Sequence, residues 1–151
     1  MKKEKIIIAS DHAGFFIKEK IIKYLVKEQY EVKDFGCFAA EQPVDYPDYG
    51  HQLALAVSAG ECDFGIAICG AGNGINMTVN KHQGIRGALC WNEEISMFAR
   101  SHNDANICVL PGRFVSESEA ALIIRTFLNT PFEGGRHNRR IEKIPLKKAV
   151  T

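Results

Sequence analysis

No part of the sequence stays apolar for long. The first such run, Ile6 to Ala9, is cut by Ser10, Asp11 and His12. It falls far short of a signal-peptide core or of the ~20 apolar residues that span a bilayer. Neither export nor a membrane partner is expected, and the protein is read as cytoplasmic. An excess of one charge is also missing. Nineteen Lys and Arg against 18 Asp and Glu leave a formal net charge of +1, which argues against nucleic acid as the main partner. Cysteine is limited to an odd five, Cys37, Cys62, Cys69, Cys90 and Cys108, with no C-x-x-C pair. A disulfide framework, a zinc knuckle or any other metal site is therefore not expected. Most of these thiols read as small buried hydrophobes, and Cys69 calls for a different reading.

What is present is enough for a core. At 151 residues and 46% hydrophobic, the chain reads as one domain over 1–151, a size that buries roughly 70% of the unfolded chain's surface. Short apolar runs at 5–10, 30–35, 64–69, 85–90 and 106–110 suit strands covered on both faces. Between them lie helical patterns. Residues 13–28 put Ile17, Ile21, Tyr24 and Leu25 on one stripe, residues 47–59 follow, and residues 73–81 start directly after a glycine turn. Asn92 is placed to cap a fourth helix, with Glu93 and Glu94 in its first turn, and Ser116 with Glu119 forms a capping box for a fifth. Five βα units predict an α/β fold of three layers, α/β/α and Rossmann-like, around a five-stranded parallel sheet. A basic tail or helix follows Thr130.

In such sheets ligands bind beyond the carboxyl ends of the strands. Strand one ends in Ser10-Asp11-His12-Ala13-Gly14, where Asp11 either caps the next helix or serves chemistry. Strand three ends in Cys69-Gly70-Ala71-Gly72-Asn73-Gly74-Ile75, a thiol followed by a turn whose converging amides suit a developing oxyanion. The turn is not a dinucleotide fingerprint. Its third glycine comes one residue early for G-x-G-x-x-G, Ile75 fills the expected place, and no G-x-x-x-x-G-K-[ST] exists. Glu93 lies about 20 residues on, as a ribose-binding acid would, but serves a helix start equally well. His102-Asn103-Asp104 after helix four and Arg113 after strand five are expected near one edge of the sheet, with a structural role for His102 as the plain alternative. The tail gathers Arg136, His137, Arg139 and Arg140. Without interleaved aromatics it suits a phosphate clamp better than an RNA patch. These parts fit proton transfer beside a carbonyl of a phosphorylated small molecule.

The motifs resemble those of B-type ribose-5-phosphate isomerases, in the family that includes galactose-6-phosphate and allose-6-phosphate isomerases. Ser10 to Gly14, Asp45-Tyr46-Pro47, Cys69 to Ile75, Asn80-Lys81, Gly84-Ile85-Arg86, His102-Asn103-Asp104, Gly112-Arg113 and Glu133-Gly134-Gly135-Arg136-His137 stand in the family's order, almost end to end. The resemblance implies interconversion of ribose 5-phosphate and ribulose 5-phosphate through an enediolate, in the non-oxidative pentose phosphate pathway and without a cofactor. It implies Cys69 as the base, Asp11 and His102 as the ring-opening groups with His102 the acid, and Gly70, Ala71, Gly72, Asn73 and Gly74 as the enediolate cradle. Tyr46 and Asn103 would orient the sugar. His12, Arg113, Arg136 and Arg140 would hold the phosphate, with His137 a weaker candidate.

The resemblance further implies a homodimer or tetramer with shared sites. The tail, 131–151, would reach the partner, and His102, Asn103, Arg113, Arg136 and Arg140 would face the partner's Cys69. One branch of the family replaces the cysteine by a glutamate after the turn, where this chain has Ile75. Many cysteine-type members carry Thr or Ser where this chain has Ala71, so water or substrate hydroxyls would shuttle the proton here. Galactose-6-phosphate isomerase subunits usually lack the Asp-His pair and the cysteine, which favours a pentose phosphate; an allose-6-phosphate or galactose-6-phosphate isomerase is the alternative within the family. The alternative outside enzymes is a flavodoxin-like nucleotide-binding module.

Overall fold

A computed structural model describes residues 3–148; residues 149–151 of the expected tail lie outside it. Strands β1 (Lys5–Ser10), β2 (Glu31–Asp34), β3 (Phe64–Cys69), β4 (Gly87–Leu89) and β5 (Ile107–Pro111) alternate with helices α1 (Phe15–Lys27), α2 (Tyr46–Ser58), α3 (Asn73–Val79), α4 (Glu93–Ser101) and α5 (Glu117–Asn129). A short α6 (Arg136–Ile141) ends the series. The strands form one sheet in the order β2-β1-β3-β5-β4, and every pairing is parallel. This is the expected three-layer α/β/α arrangement.

Apart from Lys5 and Ser10 at the two ends of β1, the central strands are apolar because both faces are covered. Successive side chains alternate between faces, so Ile6 and Ile8 enter one core with Ile21, Ile124 and Phe127. Ile7 and Ala9 enter the other with Leu53, Ile75 and Val79. The edge strands β2 and β4 are shorter and only partly buried. Both expected caps form. Asn92 Oδ1 accepts from the Ile95 N–H at 2.8 Å, and Ser116 with Glu119 makes a full capping box. A buried charge ties α1 to β2: the Lys18 ammonium, with no exposed side chain, lies 2.6 Å from Asp34 Oδ2 and donates to Glu19 at 3.1 Å.

The expected common edge for His102 and Arg113 is not observed. Helix α4 starts beyond the carboxyl end of β4 and runs back across the sheet to meet the start of β5, as a parallel crossover must. His102, the C-cap of α4, therefore lies at the amino edge, and Arg113 at the carboxyl edge.

Candidate active site

At the carboxyl edge the neighbours β1 and β3 mark the point where strand order reverses, the usual place for a ligand crevice. Asp11 follows β1 and is 6% exposed. Its N–H donates to the Ile68 carbonyl at 3.2 Å, and its Oδ1 accepts from the Gly14 N–H at 3.0 Å. One oxygen thus closes the turn that leads into α1, whose N-cap is Gly14 and not Asp11, so the expected helix cap is not formed. His12 Nδ1 accepts from the Val44 N–H at 3.1 Å, so the neutral ring carries its proton on Nε2, as a donor.

Cys69 closes β3, 5% exposed and level with Pro111 of β5. Its carbonyl accepts from the Gly112 N–H at 2.9 Å, and the Gly70 carbonyl from the Arg113 N–H at 3.0 Å. The Arg113 guanidinium lies over Gly70, with Nη1 3.4 Å from the position a Cβ there would take. Arg113 thus belongs to its own chain's Cys69 turn rather than to a partner's, because β5 neighbours β3. Gly72 adopts φ +77°, and a Cβ there would lie 2.4 Å from Leu89 Cδ1. Only glycine meets both conditions. At Gly74 a Cβ would lie 2.4 Å from Tyr46 Cζ, so the tyrosine ring rests directly on the turn. The leading amides of α3 have no partners within the helix, and they follow Cys69 in the chain. Asp11, His12, Tyr46, Cys69, the glycine turn with Asn73, and Arg113 form one half-site.

The other candidates gather at the amino edge. The His102 ring stacks on His137 with centroids 4.3 Å apart and planes 17° apart, and Phe98 packs on His102 from its own helix. The Glu133 N–H donates to the Ser101 carbonyl at 3.0 Å, which seats the start of the tail beside α4. His137 is 4% exposed, and its Nε2 makes no hydrogen bond. Burial lowers its pKa; His102, Arg136 and Arg140 act in the same direction and Glu133 opposes them. Arg136, Arg139, Arg140 and Asn103 are exposed.

Two arginines hold this loop, and sequence reasoning gave neither a role. Arg86 Nε donates to the carbonyls of Asn103 and Asp104 at 3.1 and 2.9 Å. Arg100 Nη1 donates to Asp104 Oδ1 at 2.8 Å and to the Ala105 carbonyl at 2.7 Å. The i,i+4 spacing of Arg100 and Asp104 was a readable signal for one of them.

Cys69 is level with Pro111, and Gly65 with Ile107. The two half-sites of one chain are thus separated by at least four strand residues, roughly 13 Å along the sheet.

The chain matches, over residues 6–144, the family described as Ribose/Galactose Isomerase. It is 42% identical over 141 residues to ribose-5-phosphate isomerase B of Escherichia coli (strain K12), covering 93% of this chain and 94% of that protein. The crystal structure of a ribose 5-phosphate isomerase from Thermotoga maritima superimposes with a TM-score of 0.92 at 50% identity, covering 93% of this chain and 97% of that one. The ribose-5-phosphate isomerase B of Mycoplasma genitalium, solved with bound ribulose-5-phosphate, gives a TM-score of 0.88 at 42% identity, covering 93% of each chain.

Proposed function

The chain belongs to the Ribose/Galactose Isomerase family, and from that premise we propose that it interconverts D-ribose 5-phosphate and D-ribulose 5-phosphate. The observation that carries the reading is the half-site at the carboxyl edge. There a strand-end thiol, a glycine turn, a buried aspartate, a histidine presenting an N–H and an arginine meet at the switch point of the sheet.

The reaction follows from these groups. Arg113, the Nε2–H of His12 and the tail residues Arg136 and Arg140 hold the phosphate, with His137 a weaker contact. This places the sugar's other end against Cys69. Asp11 and His102 open the furanose, with His102 supplying the proton to the ring oxygen. Cys69 takes the C2 proton and returns it to C1. Negative charge passing through the enediolate oxygens is met by the amides of Gly70, Ala71, Gly72, Asn73 and Gly74, while Tyr46 and Asn103 orient the chain. Ala71 offers no hydroxyl, so water or the substrate's own hydroxyls carry the proton between oxygens. No cofactor takes part.

The same reading makes the active unit a homodimer or a tetramer of such dimers, each chain a single domain whose tail, 131–151, completes the partner's site. Roughly 13 Å of sheet between Cys69 and His102 in one chain supports this. So do Met77, Trp91 and Phe114, large apolar side chains that are each more than half exposed. No described helix is long and apolar enough to cross a membrane; we place the enzyme in the cytoplasm, in the non-oxidative pentose phosphate pathway.

The test is direct conversion of ribose 5-phosphate by protein treated with a chelator. Appearance of ribulose 5-phosphate at an unchanged rate is expected. Loss of activity restored by a divalent ion overturns the cofactor-free mechanism. Tight nucleotide binding with no isomerisation overturns the enzyme assignment.

A further inference from the structure

We propose that His102, Glu133 and His137 form a binding site for a divalent cation of the Zn2+ class, whose occupancy inhibits the isomerase. The inhibitory part rests on the reading of His102 as the ring-opening acid.

Each of the three residues offers one ligand atom, and these atoms all lie within 4.8 Å of one another. Two imidazole nitrogens and a carboxylate oxygen are a donor set that suits Zn2+ and its neighbours. Arms of 2.0–2.2 Å set tetrahedral ligands about 3.4 Å apart. Glu133 Oε2 and His137 Nε2 already stand at 3.5 Å, so only His102 has to close in. Its ring is stacked on His137, so the partly exposed His102 side chain has to turn out of that stack to join the ion.

A second observation points to a ligand independently. His137 Nε2 is buried without a hydrogen-bond partner, in a side chain only 6% exposed. Such orphans are rare in folded proteins, and a bound ion is one of the ways they are satisfied. The frame is also set in advance. The His102 N–H is bonded to the Phe98 carbonyl and the Glu133 N–H to the Ser101 carbonyl, so the backbone carrying these two donors is tied to the end of α4.

Arg136 and Arg140, whose charges bear on His137, oppose a cation. The site therefore suits a metal that comes and goes with its concentration rather than a permanent one. Three protein ligands leave the fourth position to water. Once bound, the ion takes the His102 lone pair, and the ring can no longer carry the proton needed for ring opening.

The experiment compares metal-free wild type with Glu133→Gln, since Glu133 touches neither the reacting atoms nor the phosphate in the mechanism above. Zn2+ affinity is measured by competition with a chromophoric chelator, Co2+ uptake by its absorption spectrum, and isomerisation during Zn2+ titration. Wild type is expected to bind Zn2+ at least tenfold more tightly than Glu133→Gln. The two proteins should have equal metal-free activity, and the inhibition midpoint should shift in parallel, with full reversal by chelator. Equal affinity in both proteins overturns the site. A thiolate-to-metal charge-transfer band with Co2+ also overturns it by placing the metal on a cysteine. Binding sensitive to Glu133 but without inhibition overturns the inhibitory part and, with it, the acid role of His102. Should the metal-free protein isomerise nothing, the functional reading fails, and the two binding measurements still decide the site.

Discussion

Cys69 differs from the other thiols by position rather than by burial. Cys90 and Cys108 are wholly buried, and burial together with the adjacent Cys90 raises the Cys108 pKa well above the usual thiol range. Both are packing groups. Cys69 instead ends a strand where the backbone turns away, directly before the cradle in the chain. Cys69→Ala is expected to lower kcat by about 10²–10⁴ while calorimetric affinity for a phosphosugar stays close to wild type, since the phosphate is gripped elsewhere. Substantial turnover by this variant would remove Cys69 as the base. Cys62 gives a prediction about stability. Burial pushes its thiol up to about 11 from an ordinary value of 9.0, so between these values the unfolded chain releases this proton before the folded one does. The folded state binds more protons there, and its stability falls as pH rises; below pH 9 the contribution is complete. Thermal melts from pH 8 to 11 should show a shallower alkaline decline for Cys62→Ala than for wild type. Tyr24 and Tyr30, raised chiefly by burial, titrate in both proteins and cancel in the comparison.

At the scale of elements, the glycine turn and the His102 loop are held in different ways. Gly72→Ala forces a side chain into a left-handed backbone and against Leu89, a cost of roughly 1–3 kcal/mol, visible as a lower denaturation midpoint together with a loss of kcat. The His102 loop depends on long-range donors. Arg86→Ala removes the bonds to the carbonyls of Asn103 and Asp104, and kcat is expected to fall up to about 10²-fold through misplacement of His102. KM should change less, and Arg86→Lys should restore part of the rate. An unchanged kcat would show that the loop holds its shape without Arg86. The strands and helices were legible because short continuous apolar runs and period-3.6 patterns are local, and caps such as Ser116 with Glu119 are written within four residues. The order of β5 between β3 and β4 was not, since pairing depends on contacts distant in sequence. For the same reason the clamp by Arg86 escaped notice, its partners lying 17 and 18 residues away. The edge on which His102 falls was misread because closeness after a helix was taken for closeness in space, whereas α4 carries the chain back across the sheet.

For the whole molecule, the separation of the two half-sites decides how activity is assembled. The candidate residues were legible from their motifs, yet which of them one chain can bring together depended on the fold. Arg113 joins its own Cys69 turn, while His102, Asn103 and the tail stand at the opposite edge. The stack of His102 on His137 fixes the tail to that edge, so folding it back to Cys69 would break a buried contact. A second chain can supply the same groups without that loss. If Cys69 and His102 act across chains, the Cys69→Ala and His102→Ala homodimers are each inactive at both sites. A mixed dimer has one doubly altered site and one intact site. Random one-to-one reassociation makes half the dimers mixed, each with one working site of two, so activity should recover to roughly a quarter of wild type. The variants are dissociated together, refolded and assayed with ribose 5-phosphate, with mass labelling to verify exchange and each variant treated alone as the control. Verified exchange without recovery would put both residues to work in one chain, and the shared site would have to be abandoned even if the isomerase activity stands.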